Sequence, residues 1–175
     1  LSPDGSLFLS SLDAPDTDPG LGRYGVENQI RVFPTGEVVA DLPPFGNPIA
    51  EACFSRDGKL LLIATGAGYD FTGMGGGIVE GPDHRVIVFT VPEGKSVFEW
   101  TAEERLRFAA FNPDESLILA GSGNRLSILD WKGNRELVRL VTSENEKEFI
   151  SADITADGKT VYTLQNTHQG EGLLR

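Results

Sequence analysis

The sequence predicts an all-β protein that is built from repeated antiparallel units. One phrase occurs four times: an apolar run, a turn on Asp-Gly or a close relative, and a second apolar run. The copies are LSPDGSLFLSS, FSRDGKLLLIATG, FNPDESLILAGSG and ITADGKTVYTLQ, at 1–11, 54–66, 111–123 and 154–165. Their turn aspartates, which lie 53, 57 and 43 residues apart, are Asp4, Asp57, Asp114 and Asp157. Self-similarity at roughly 40–50 residues is typical of a solenoid, propeller or repeat array.

Each complete unit contains four predicted strands. They cover 49–55, 59–64, 85–90 and 96–100 in the second unit, and 106–112, 116–120, 125–130 and 136–141 in the third. The run LLLIA at 60–64 is apolar on both faces, as in a strand covered on both sides, whereas ELVRL at 136–140 mixes charged and apolar positions. We therefore predict four-stranded antiparallel sheets whose strands run from inside to outside in chain order. Such sheets are the blades of a β-propeller, and they must pack face to face.

The predicted units form one domain over 1–175, divided at approximately 1–45, 46–103, 104–145 and 146–175. The first unit lacks its first strand, and the fourth supplies strands at 149–154 and 160–165 and a possible third from Gly172. About three to four blades are therefore present, whereas a closed propeller usually has ~4–8. We expect a fragment of a larger ring, whose remaining blades come from missing sequence or another chain.

Three segments resemble the third strand and following turn of a WD-repeat blade: NQIRVFPTGE, HRVIVFTVPEGK and NRLSILDWKGN. In this resemblance Phe33, Phe89 and Leu129 take the place of the family's Trp, Asp130 keeps its Asp, and the turn glycines are Gly36, Gly94 and Gly133. The family's Gly-His pair is missing, so its Asp-His-Ser/Thr-Trp hydrogen-bond network is not carried over. The resemblance implies a WD-like propeller that acts as a protein-interaction scaffold.

Two insertions, at 13–28 and 66–84, separate the second and third strands of neighbouring units. Since strands alternate in direction, equivalent connections emerge at one end of the disc, where long ordered loops are common recognition sites. The equivalent loop of the fourth unit, 166–172, brings a histidine to the same end. The candidate partner-binding residues, of types enriched in interfaces, are Arg23, Tyr24, Tyr69, Phe71, Met74 and His168. The alternative is that these side chains pin their own loops to the blades.

The composition excludes several partners. A net charge of −11 and a pI near 4.6 oppose binding to nucleic acid or to an anionic membrane, because both need Lys and Arg against phosphates. No apolar stretch approaches the ~20 residues of a membrane-spanning helix. Cys53 is the single cysteine, so an internal disulfide is excluded, and its apolar surroundings predict a buried structural thiol. We expect a soluble, cytoplasmic protein.

No residue pattern identifies a metal site, a cofactor site or a catalytic site. Asp16, Asp18 and Glu27 match part of a calcium-loop spacing, but Gly20 and Leu21 replace the required ligand and turn glycine. The two histidines lack a third zinc ligand, and no Gly-x-Ser-x-Gly elbow is present. The leading hypothesis is therefore an interaction scaffold without enzyme activity. The alternatives are a lactonase- or dehydrogenase-like propeller enzyme with a central-channel site, and a regulatory propeller beside a separate catalytic domain.

Overall fold

The computed structural model describes residues 1–12, 27–66, 68–70, 77–79, 84–142, 147–155, 159–167 and 173–174. Side chains are described for these residues except 68–70, 77–79, 147, 166–167 and 173–174. The strands, β1 to β16 in chain order, are Leu7–Leu12, Glu27–Val32, Val38–Leu42, Ile49–Phe54, Leu60–Thr65, Gly68–Asp70, Gly77–Val79, Arg85–Thr90, Ser96–Thr101, Leu106–Phe111, Ile118–Ser122, Arg125–Asp130, Arg135–Val141, Lys147–Ile154, Val161–Thr167 and Leu173–Leu174. Nowhere in the described ranges is there a helix long and apolar enough to cross a membrane.

Fourteen of these strands form four antiparallel sheets in which spatial order follows chain order. The second sheet is β4-β5-β8-β9 and the third is β10-β11-β12-β13, while the first, β1-β2-β3, and the fourth, β14-β15-β16, have three strands each. This confirms the predicted four-stranded units and the missing first strand of the first unit. Strands β6 and β7 pair in a separate ribbon inside the second insertion. The sequence did not predict this ribbon, because the glycines around it carry no alternating apolar pattern.

The sheets pack face to face through side chains that alternate along each strand. In β5, Leu61 and Ile63 face the first sheet, while Leu62 and Ala64 face the third, and all four are fully buried. A third apolar cluster, around Leu119, joins the third sheet to the fourth. Among the described residues no such cluster joins the fourth sheet to the first, so the sheets form an open arc. Each buried aliphatic side chain contributes roughly 1.5–3 kcal/mol, so the stacking of sheets holds the arc together.

The inner side of the arc is marked by the first strands of the sheets. Strand β10 lies beside both β4 and β14, whereas the last strand of the third sheet, β13, is exposed along most of its length. This confirms the predicted order from inside to outside. Cys53, on β4, is half-buried against the cluster between the second and third sheets, and its burial raises the pKa of the thiol.

The repeated aspartate turn has the same hydrogen bonds in three units. Asp57 Oδ1 accepts from the Ser55 hydroxyl at 2.9 Å and from the Lys59 amide at 3.0 Å, and the Leu60 amide donates to Ser55 Oγ at 2.9 Å. The other two described turn aspartates, Asp4 and Asp114, accept the same pair of hydrogen bonds. In each turn one bond comes from the side chain two residues earlier and the other from the backbone amide two residues later. Equivalent turns are thus confirmed for three copies, and Asp157 lies outside the described residues.

The strand register corrects one alignment made from the sequence. A ladder irregularity precedes Arg31, Phe89 and Leu129, so these three positions are equivalent. Phe33 lies two residues further on and was therefore wrongly aligned with Phe89 and Leu129. Its true equivalents are Val91 and Trp131. In the first unit the equivalent of Phe89 is Arg31, whose guanidinium donates to Ser10 Oγ and the Gly36 carbonyl.

The turn that follows the third strand needs a second correction. Gly36 and Gly94 have positive φ angles of 76° and 65°, and the residue of the third unit in this conformation is Asn134, with φ 51°. The sequence alignment assigned the place of the turn glycine to Gly133, and this assignment was wrong. Asparagine replaces glycine here because its short polar side chain tolerates the left-handed conformation better than most residues. Asp130 still supports this turn by accepting from the Gly133 amide at 2.8 Å.

Candidate binding face

Both insertions leave the arc at the same end of the sheets. The connection between the first and second sheets, residues 43–48 (the connector), contacts the base of each. Asn28 Nδ2, at the end of the first insertion, donates to the Pro43 carbonyl at 3.1 Å. The Gly66 amide, at the start of the second, donates to the Pro48 carbonyl at 2.9 Å. We call this end, to which the connector belongs, the insertion end.

Buried polar side chains fix these insertion bases. Asn28 and Asn47 are 1% and 0% exposed. Ser11 Oγ donates to Asn28 Oδ1 at 2.8 Å across the first base, and Asn47 Nδ2 lies 3.1 Å from His84 Nδ1 at the second. The Ala102 amide donates to the His84 carbonyl at 2.7 Å, which ties the second base to the next connection as well. A buried amide that loses its partner costs about 1–3 kcal/mol, so these contacts hold the bases in one geometry.

The connector itself is anchored by an aromatic side chain. Phe45 is 3% exposed and belongs to the apolar cluster between the first and second sheets. Its ring centroid lies 6.3 Å from that of Phe89 on β8, with the planes tilted by 54°. The insertion bases are therefore linked, through the connector, to the rigid core of the arc.

Ion pairs brace the insertion end between the second and third sheets. Glu103 pairs with Arg139 at 2.7 Å and also with Arg125. The bonds from Arg139 and then Arg125 lower the pKa of Glu103. Arg139 also pairs with Glu136 at 2.7 Å, and Glu136 accepts from the Ser127 hydroxyl at 2.7 Å. The network joins the connection at 102–105 to the two outer strands of the third sheet.

The predicted contact residues belong, in sequence, to the two insertions and to the loop at 166–172. Tyr69 lies in β6, opposite Ile78 of β7, and its side chain is not among those described. The others lie outside the described residues: Arg23, Tyr24, Phe71, Met74 and His168. Sequence reasoning missed the supporting residues Asn28, Phe45 and Asn47. Their signal was weak: one asparagine among the polar residues that begin the strand ENQIRV, and an aromatic residue and an asparagine within PPFGNP.

The chain's net charge is divided unequally between the two ends of the sheets. Counted in the sequence between the strands of the four sheets, the connections at the insertion end contain eleven acidic and two basic residues. Those at the opposite end, with the first six residues, contain seven acidic and five basic residues. Most of the net charge of −11 therefore belongs to the insertion end. A potential of one sign steers oppositely charged partners toward such a surface.

In the part of the chain that the structure describes, no three His, Cys, Asp or Glu side chains are grouped to hold a metal ion. His84, one of the two histidines, is half-buried at the base of the second insertion, where its Nδ1 faces the Asn47 amide. Its observed contacts are those of a residue that supports the loop base.

Comparison with known proteins shows the fold class. No family model and no curated protein matches the chain. Among solved structures, it is similar to the β-propeller domain of Cps50 (Swd1) from Myceliophteria thermophila, with a TM-score of 0.66 and 17% identity over 94% of this chain and 47% of that one. It is also similar to hydrazine synthase of Kuenenia stuttgartiensis, with a TM-score of 0.62 and 15% identity over 96% of this chain and 41% of that one. The chain thus has a β-propeller fold and spans less than half the length of either neighbour.

Proposed function

We propose that this chain is a binding module of the WD-repeat type, which takes a protein or peptide partner at the insertion end. The observation that carries the proposal is the connector, which joins the bases of two long insertions to the rigid core. Long connections on a rigid scaffold are where proteins concentrate recognition. The fold shared with the Cps50 propeller domain and the WD-like repeats support this class of module.

The charge distribution supports a partner that is basic overall. Eleven acidic residues against two basic ones in the connections of one end favour Lys- and Arg-rich segments and disfavour nucleic acid. The predicted aromatic residues of the second insertion, Tyr69 and Phe71, supply the anchors, since buried aromatic side chains dominate the energetics of most interfaces. Electrostatic steering then sets the association rate, and the anchors set the dissociation rate.

The test compares matched alanine variants at the two ends. A protein that the wild-type chain captures is used as the ligand. Its affinity is measured for the double variant Tyr69→Ala, Phe71→Ala and for the double variant Lys132→Ala, Arg135→Ala at the opposite end. We expect the first pair to weaken binding by about 2 kcal/mol or more, which is roughly 30-fold, with little change in melting temperature. The second pair leaves affinity unchanged. A loss confined to the opposite-end pair, or a first pair that lowers only stability, would refute the proposal.

A further inference from the structure

Two arginines of the third sheet share a single carboxylate at the insertion end. Arg105 Nη2 lies 3.5 Å from Glu148 Oε1, and Arg107 Nη2 pairs with Glu148 Oε2. The side chains of Arg105, Arg107 and Glu148 are 27%, 36% and 22% exposed. Arg105 and Glu148 are therefore half-buried and Arg107 is exposed, so the cluster is held by its ion pairs and can be reached from solvent.

The strands place this cluster on the inner rim of the arc. Arg105 directly precedes β10, and Arg107 occupies the bulge between Leu106 and Phe108 on that strand. Glu148 lies on β14, and β10 and β14 are the first strands of adjacent sheets. In the second sheet the corresponding bulge lies between Ile49 and Glu51, so its residue is alanine. The paired arginines are thus a feature of the third sheet and not of the repeat.

The cluster carries an excess of positive charge in acidic surroundings. Two guanidinium groups face one carboxylate, and each guanidinium has five N–H donors in a planar fork. Within the described residues, Glu148 is the carboxylate at ion-pair distance from either of them. Among the described side chains, one carboxylate thus faces two planar forks of donors, and Arg binds carboxylate and phosphate groups through two parallel bonds.

We propose that Arg105 and Arg107 form an oxyanion-binding fork that receives one carboxylate or phosphate group of the partner. The inference rests on the proposed function for the origin of that group. It narrows the partner to a segment that is basic overall and presents one acidic group toward the inner rim. The acidic connections attract the basic residues at long range, and the fork fixes the register of the segment at contact distance.

The test is an NMR titration of the arginine Nε–H signals at constant ionic strength, with inorganic phosphate in one arm and acetate in the other. Saturable shifts of Arg105 and Arg107, but not of Arg135 at the opposite end, support the fork. Saturation with phosphate alone indicates that the partner's acidic group is a phosphate, and saturation with acetate indicates that it is a carboxylate. No saturable shift in either arm, or an equal shift at Arg135, overturns the inference.

Variants separate binding from a purely structural ion pair. We expect Arg107→Gln to weaken anion binding about tenfold, because one charge-assisted pair is lost. Glu148→Gln removes the competing carboxylate and should strengthen binding at least threefold. Arg135→Gln has the same charge change as Arg107→Gln and should have no effect. Should Arg107→Gln unfold, Arg107→Lys keeps the charge but loses the planar fork, and it should bind several-fold more weakly than wild type.

Two further outcomes distinguish this inference from the proposed function. If Arg107→Gln loses the anion but captures partner as well as wild type, the fork is not a partner site and the inference fails, while the proposed function stands. If the Tyr69 and Phe71 variants capture partner normally and the fork still saturates with anion, the proposed binding face is wrong. The fork's place in the partner site then fails with it.

Discussion

Replacing Phe45 with alanine should destabilise the arc far more than the same substitution at Phe33. Phe45 is 3% exposed and packs on Phe89, whereas Phe33 is 53% exposed and meets only the edge of Phe8 among described aromatic rings. A buried Phe→Ala change costs about 3–5 kcal/mol, and the connector can relax, which places Phe45→Ala near 3 kcal/mol. Because about half of the Phe33 side chain is exposed, Phe33→Ala should lower the free energy of unfolding by only about 1 kcal/mol.

The assay for this pair is urea unfolding followed by circular dichroism, with the slope m compared between variants. Equal slopes mean that the difference is one of stability, and we expect a gap of about 2 kcal/mol. A domain of ordinary stability, ~5–15 kcal/mol, remains folded in both variants. Hydrogen exchange gives a second readout, because Phe45→Ala should selectively speed exchange of the Gly66 amide, which donates to the connector. Equal losses in the two variants would refute the anchoring role of the connector.

Three further predictions concern the turns, the packing and the charge. Hydrogen bonds, first from the Ser2 hydroxyl, lower the pKa of Asp4 from 3.8 to about 2, and Asp57 is shifted in the same direction by the Lys59 amide. The stability that these carboxylates supply is present above pH ~4 and is lost as pH falls toward 2, so Asp57→Asn should flatten the acid side of the melting-temperature profile; an unchanged profile would contradict this. Gly121→Ala should cost about 1–3 kcal/mol, since its methyl group would overlap the Phe108 ring, and Phe108→Leu should recover part of that loss in a double-mutant cycle; additive losses would argue against the contact. Partner affinity should fall as salt rises from 0.05 to about 0.5 M, chiefly through the association rate, and a salt-independent rate would exclude electrostatic steering.

Local signals in the sequence were sufficient to predict the blades. Asp57-Gly58 determines its turn through neighbouring amides and hydroxyls, and the run at 60–64 is apolar because both of its faces are covered. These features depend on residues close in sequence or on a period of two, which a sequence displays directly. The order and burial of the strands followed from them.

Long-range contacts were beyond the reach of the same reasoning. Phe33 was aligned with the wrong residues because it is the aromatic residue of its segment, whereas the strand pairing makes Arg31, a residue of different chemistry, the equivalent of Phe89. The support that Asn47 gives to His84 joins residues that are far apart in the chain. The location of the insertion end could be predicted from strand alternation, whereas the connector's role could not, because it depends on tertiary packing.

The central claim is that the insertion end binds the partner while the stacked sheets carry the fold. The equivalent connection of the third sheet is the short turn Gly123-Asn124 between Ser122 and Arg125. Replacing 66–84 with Gly-Asn transplants that turn between Thr65 and Arg85, which flank the paired residues Ala64 and Val86. Closing a loop of 2 instead of 19 residues gains about 2 kcal/mol by loop entropy. Two backbone hydrogen bonds, of Gly66 and His84, are lost at about 1 kcal/mol each, and the buried Asn47 amide loses its His84 contact at about 1–3 kcal/mol, so the net cost is about 1–3 kcal/mol.

The most direct measurement is therefore partner affinity and melting temperature of this turn-replacement variant beside wild type. The expected result is a variant that stays folded, with a melting temperature lowered by about 2–12 °C, and a loss of partner binding of at least about 30-fold. A variant that remains folded and binds partner with unchanged affinity would contradict the account.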